Sequence, residues 1–86
     1  MSYFFYLARC SDGSLYSGST NHLGDREKRH NDGKGAKYTQ LRRPVKIIYS
    51  EGFETLVRAR RREAQVKTWS RIKKERLVKG LHPTKD

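Results

Sequence analysis

The stretch Tyr3-Phe4-Phe5-Tyr6-Leu7-Ala8, followed by Ser11-Asp12-Gly13-Ser14 and then Leu15-Tyr16-Ser17-Gly18-Ser19, decides the fold. Its aromatic and apolar first part suits a strand, since such side chains fit a pleated surface. Asp12-Gly13 supplies the positive φ that tight hairpins need, so Leu15 to Ser19 is expected to return antiparallel to the first strand. Working outward, Thr20 or Asn21 can cap a helix from about His22 to His30, ended by Asn31-Asp32-Gly33. Gly33 to Thr39 reads as a basic loop. Val45-Lys46-Ile47-Ile48-Tyr49 is the third strand, placed after Pro44 where a strand can begin. A long helix is expected from about Glu54 to Trp69. Ser70 can cap a last helix running from Arg71 to about Lys79, with Gly80 as its stop. The order β-β-α-β-α-α has too few strands for a sandwich and opens on a hairpin, not a βαβ unit. The expected class is therefore α+β, a small sheet covered by helices, in one domain over residues 1–80 with a short tail at 81–86.

Eighty-six residues leave room for one domain and only a thin core. Twenty basic against nine acidic side chains give a net charge of +11. Aromatic residues at 10% argue against a disordered basic tail. The longest apolar run, Tyr3 to Ala8, is far short of the ~20 residues that span a bilayer and lacks the features of a signal peptide. The single Cys10 excludes an internal disulfide and a cysteine-based zinc site, and fits a reducing, cytoplasmic setting. A polyanionic partner is implied, with nucleic acid ahead of an anionic membrane surface. The basic residues flank an aromatic hairpin and form no single amphipathic stripe, which sets the membrane aside. A monomer with no small-molecule cofactor is the default.

Glu63 is the most informative single residue. At 100° per residue, Leu56, Ala59, Glu63 and Val66 fall on one arc of the long helix, whereas Arg58, Arg61 and Arg62 point toward solvent. A carboxylate on an apolar arc costs several kcal/mol of desolvation unless a cation meets it. The residues leave two readings open, a buried salt bridge or a metal ligand in a phosphate-handling site. Arg26 and His30 stand one helical turn apart and share a face, either a solvated one or one that holds a phosphate and orients a nucleophile.

Tyr6 and Tyr16 are either half-buried packing or part of a site, and hairpin parity separates the two. A two-residue loop at Asp12-Gly13 puts Arg9 opposite Tyr16 and the tyrosines on opposite faces. A three-residue loop, Asp12-Gly13-Ser14, puts them on one face. Gly18 reads as backbone clearance that lets substrate approach the second strand. Lys34, Lys37, Arg42 and Arg43 suit tracking of a phosphate backbone, and Tyr38 suits stacking on a base.

Strand Phe4-Phe5-Tyr6, hairpin, strand Tyr16-Ser17-Gly18, Arg26-x-x-x-His30 and Glu63 on a later helix together resemble the GIY-YIG nuclease superfamily. The segments Ser11-Asp12-Gly13-Ser14-Leu15-Tyr16, Gly33-Lys34-Gly35-Ala36-Lys37-Tyr38-Thr39 and Arg61-Arg62-Glu63-Ala64 are similar to its small stand-alone bacterial subfamily. The resemblance covers roughly Tyr3 to Ser70. It implies a three-stranded antiparallel sheet flanked by helices and metal-dependent hydrolysis of nucleic-acid phosphodiesters, DNA foremost. It also implies that Tyr6, Tyr16, Arg26 and His30 are catalytic and that Glu63 is the metal-binding glutamate. Phe4 and Ser17 depart from the glycine and isoleucine of the two triads, and Glu27 stands where an apolar residue is usual. Two-metal nucleases need several converging carboxylates, and only Glu63 meets that description here. One Mg²⁺ or Mn²⁺ ion with waters in most of its shell is therefore expected. One tyrosine, its pKa depressed by neighbouring cations, would activate water. The alternative is a non-catalytic nucleic-acid-binding module on the same fold.

Overall fold

A computed structural model describes residues 2–80. Seven elements follow in order: β1 (Tyr3–Arg9), β2 (Leu15–Thr20), α1 (Leu23–Asn31), α2 (Lys37–Gln40), β3 (Lys46–Phe53), α3 (Leu56–Lys67) and α4 (Arg71–Val78). The three strands form one antiparallel sheet in the order β2-β1-β3. The architecture is the expected α+β sheet with helices, with one short helix, α2, added inside the segment read as a loop. The expected tail at 81–86 lies outside the described residues.

β1 is the central strand, which explains its unbroken apolar sequence. Phe5 and Leu7 face one way and pack with Val66, Leu77, Tyr49, Phe53 and Trp69 beneath α3 and α4. Tyr6 and Ala8 face the other way and pack with Val45, Ile47, Leu23 and Tyr16 beside α1. A strand covered on both faces has no polar side to alternate with. Phe5, Tyr6, Leu7 and Ala8 are all fully buried, and burying a side chain of Leu or Phe size stabilises by ~1.5–3 kcal/mol. The same split assigns the helices to layers, α1 with α2 on one side of the sheet and α3 with α4 on the other.

The hairpin settles the parity question. Cys10 and Ser14 close it, with the Cys10 N–H donating to the Ser14 carbonyl at 2.9 Å and the Gly13 N–H donating to the Cys10 carbonyl at 2.9 Å. The loop is thus Ser11-Asp12-Gly13, odd in length but one position earlier than expected. Gly13 takes the required positive φ of 85°. The Asp12 carboxylate accepts from the Ser14 N–H and hydroxyl, which locks the turn. Tyr6 therefore pairs with Gly18 and Ala8 with Tyr16, and the two tyrosines share a face.

Three expectations need correcting. α1 is capped by His22, whose Nδ1 accepts from the Asp25 N–H at 3.2 Å. Thr20 instead bonds with its hydroxyl to the His22 backbone. β3 runs four residues beyond Tyr49, through Phe53, because Ser50 to Phe53 pair with Tyr6 to Tyr3. The Glu51 carboxylate within this stretch is met by two Arg62 nitrogens and the Tyr49 hydroxyl. Arg62 is accordingly not a solvent-facing residue; it is half-buried against Glu51 and lies over the Trp69 ring. Glu27, polar where the family pattern is apolar, accepts the Ile47 N–H at 2.7 Å and so ties α1 to the edge strand β3. On the opposite side Arg9 and Glu75 form a bidentate pair that fastens α4 to the end of β1.

Candidate active site

The hairpin and α1 bring Tyr6, Tyr16 and His30 into one cluster. Tyr6 is fully buried and its hydroxyl lies 2.7 Å from His30 Nε2. The Tyr16 ring sits 6.4 Å from Tyr6 and 5.4 Å from His30, centroid to centroid. Gly18 makes this possible. A Cβ there would come within 2.5 Å of the Tyr6 ring and hydroxyl. The clearance expected for substrate is therefore taken by Tyr6, and Gly18 is itself buried.

Hydrogen-bond direction fixes the His30 tautomer. The Thr39 hydroxyl donates to the Ala36 carbonyl at 2.8 Å, so its oxygen accepts from His30 Nδ1–H at 2.9 Å. Nε2 then carries the lone pair, and Tyr6 is the donor to it. His30 is 1% exposed. Burial first, and then the charges of Arg26 and Arg29, hold its pKa below the usual value, so at neutral pH the ring is uncharged. Thr39 carries no signal for this role in the sequence. Nor does Gly35, where a Cβ would approach His30 Nδ1 to 2.3 Å.

The expectation that cations depress a tyrosine pKa fails at Tyr6. Burial raises it, the nearby Tyr16 and Glu63 add to the rise, and Arg26 only partly opposes them. Tyr6 is a buried phenol whose proton is committed to His30. Tyr16 is half-buried, and among the described residues its hydroxyl makes no hydrogen bond. It borders a cleft of about 360 Å³ lined also by Arg26, Arg29, His30 and Lys34. No carboxylate lines that cleft, and among the described residues Arg26 has no ion-pair partner. A half-buried guanidinium without a counter-ion, beside a free phenol, has the chemistry to take an anion.

Glu63 lies on the far side of the β2 edge. Its Oε1 accepts from the Ser19 hydroxyl at 2.5 Å, and its Oε2 pairs with Lys67 Nζ at 2.8 Å. Lys67 lines a cleft together with Tyr16, so the α3 group borders the tyrosine cluster from that side. The cation that meets Glu63 is thus a lysine on the next turn and not a structural arginine. Among the described residues no three His, Cys, Asp or Glu side chains gather to hold a metal. One carboxylate with a neighbouring hydroxyl, already holding a cation, fits a hard ion that keeps most of its waters.

The residues expected to bind nucleic acid divide. Lys34 lines the cleft and Lys37 is exposed near it. Arg42 and Arg43 are tied to the protein instead. Arg42 bonds to Asp12 and to the Tyr38 carbonyl, and Arg43 bonds to the carbonyls of Gln40 and Asn31. Tyr38 is not an open platform for a base, because it stacks on Tyr16 at 6.1 Å and Arg42 lies 3.8 Å over its ring. Asp12, Arg42 and Tyr38 form a strut from the hairpin loop that supports Tyr16.

Comparison with known proteins agrees with this fold. A family model described as the GIY-YIG catalytic domain matches residues 2–76. A UPF0213 protein of Staphylococcus aureus (strain Mu3) is 50% identical over 78 residues, covering 91% of this chain and 95% of its own. The solution NMR structure of the UPF0213 protein BH0048 from Bacillus halodurans is 43% identical, with a TM-score of 0.58 over 92% of this chain and 84% of that one. That of the protein EF2693 from E. faecalis is 45% identical, with a TM-score of 0.62 over 93% and 85%.

Proposed function

The chain belongs to the GIY-YIG family, and from that premise we propose that it is a metal-dependent endonuclease hydrolysing nucleic-acid phosphodiester bonds, DNA foremost, with single-stranded or structured DNA included. The observation that carries this reading is the carboxylate-free cleft in which the unpaired Arg26 faces Tyr16 and His30. Arg26 holds the phosphate through two parallel hydrogen bonds and balances the charge that builds on its oxygens. Tyr16, whose hydroxyl is free, orients the attacking water. Tyr6 and His30 act behind it as a positioning pair, the Tyr6 hydroxyl donating to Nε2, and the proton of the attacking water leaves to solvent through the open cleft. Glu63 would hold a single Mg²⁺ or Mn²⁺ ion, which supplies stabilisation of the leaving 3′ oxygen.

The non-catalytic binding module keeps one observation in its favour, the Lys67 ammonium already neutralising Glu63. Labelled single- and double-stranded DNA and RNA, incubated with Mg²⁺, Mn²⁺ or EDTA, decide between them. We expect cleavage in either metal, none in EDTA, and loss of cleavage with retained binding in Glu63→Gln. Binding without cleavage under every condition would establish the module instead. Wild-type rates in Glu63→Gln would remove the metal assignment.

A further inference from the structure

The cleft that holds Arg26 is not the last concavity along the β2 edge. Tyr16 also borders a second cleft, of about 250 Å³, lined by Ser17, Tyr38, Lys67 and Lys74. This one opens toward α3 and α4, on the other side of Tyr16 from α1. Its cations, Lys67 on α3 and Lys74 on α4, lie outside the expected binding set. Lys74 is half-buried, and among the described residues it pairs with no carboxylate. Its neighbour Glu75 is spent on Arg9 and Arg71. Lys67 is half exposed and reaches Glu63 with one of its three donors. Ser17 is 4% exposed, and its hydroxyl oxygen has no partner among the described residues. A buried hydroxyl left unsatisfied costs ~1–3 kcal/mol, and this one lies in a residue that lines the cleft. A smaller hollow carries the path on past Lys74 to Arg71.

Two clefts that share Tyr16, each with an unpaired half-buried cation, describe two anion sites flanking one residue. We propose that Lys74 and Lys67 form a second phosphate subsite, which takes a neighbouring phosphodiester of the same polynucleotide strand whose scissile phosphate lies at Arg26. The strand then passes over the β2 edge at Tyr16, between the two helical layers. The subsite rests on the nucleic-acid reading above. It assigns to α4, through Lys74, a role in positioning substrate.

The test uses the whole chain and a short fluorescein-labelled deoxyoligonucleotide, with binding read by anisotropy in EDTA across a salt series. Lys74→Gln is compared with Arg60→Gln, a charge removed from the exposed face of α3 that lines neither cleft. Lys74→Gln should make the slope of log K against log[salt] shallower by about 0.7, the value of one single-strand phosphate contact. Arg60→Gln should leave it unchanged, and Lys74→Arg should restore it. In Mg²⁺, Lys74→Gln should raise KM several-fold with kcat little changed. Equal slopes in the Lys74→Gln and Arg60→Gln proteins, with the wild type still binding and cleaving, would overturn the subsite and leave the nuclease reading standing. A wild type that neither binds nor cleaves DNA would overturn both.

Discussion

At the scale of single residues, the site is organised around one uncharged histidine. His30 is held between a donor, Tyr6, and an acceptor, Thr39, and both bonds require the Nδ1–H tautomer. Protonating Nε2 would remove the acceptor for the Tyr6 proton and place a cation beside Arg26. The pKa of His30 in the folded protein lies below its ordinary value of 6.5, with burial as the main cause. Its contribution to stability is therefore present above pH 6.5 and lost as the pH falls from there through the folded pKa, because the unfolded chain takes up the proton first. We expect the thermal midpoint to drop when the pH is lowered from 7 toward 5. That window lies above the one in which Asp32 and Glu75, whose pKa values are lowered by Lys28 and Arg9, begin to protonate. His30→Gln should flatten the slope between pH 7 and 5, as thermal melts at half-unit intervals would show. An unchanged slope in that variant would assign the pH dependence elsewhere. Thr39, which enforces the tautomer, was beyond sequence reasoning because a threonine in a basic loop carries no sign of a buried partner nine residues back.

At the scale of elements, what the sequence reveals depends on whether the signal is local. Hairpin, helix stops and α4 cap follow from nearest neighbours: Gly13, Gly33 and Gly80 all take positive φ, and Ser70 caps α4 through the Lys73 N–H. β3 is longer than its apolar core because the polar Glu51 is compensated from α3 by Arg62, a contact 11 residues away. α2 is the element that local reading misses. Four residues are too few to show a helical period, and it exists because it is packed. Tyr38 leans on Tyr16, Thr39 holds His30, and Gly35 lets the chain pass against α1. Gly35→Ala tests that account. The new Cβ would meet His30 Cα at 3.1 Å, a backbone atom that cannot turn aside. Relief must come from lifting α2 off α1, at about 1–3 kcal/mol. The expected result is a protein with a lower unfolding midpoint and severely reduced cleavage, yet with little change in affinity for DNA, since no phosphate-facing cation is removed. Wild-type cleavage in Gly35→Ala would mean that the α2 contacts do not govern the site.

At the scale of the whole molecule, charge and fold divide the work of recognition. Residue type and spacing alone left Tyr6, Tyr16, Arg26, His30 and Glu63 with two readings each, and it is the family resemblance that singles them out; the odd hairpin loop is what puts the two tyrosines on one face. Which of twenty basic side chains face substrate was not legible. Arg42, Arg43 and Arg62 have the same sequence character as Arg26 and Lys74, and only folding shows that the first three are consumed by carbonyls and carboxylates. The cations left bordering the two clefts are Arg26, Arg29, Lys34, Lys67 and Lys74. If all five meet phosphates, log K should fall against log[salt] with a slope of about −3.5 for single-stranded DNA and about −4.5 for duplex. The remaining charge of the +11 chain is spread over other surfaces, which raises the rate of encounter without adding close contacts. Anisotropy titrations in EDTA between 50 mM and 200 mM salt, the range over which such slopes are commonly read, measure this directly. A slope near zero would show that the clefts do not meet phosphates. A slope much steeper than −4.5 would instead place binding on the whole basic surface, with the clefts contributing only their share.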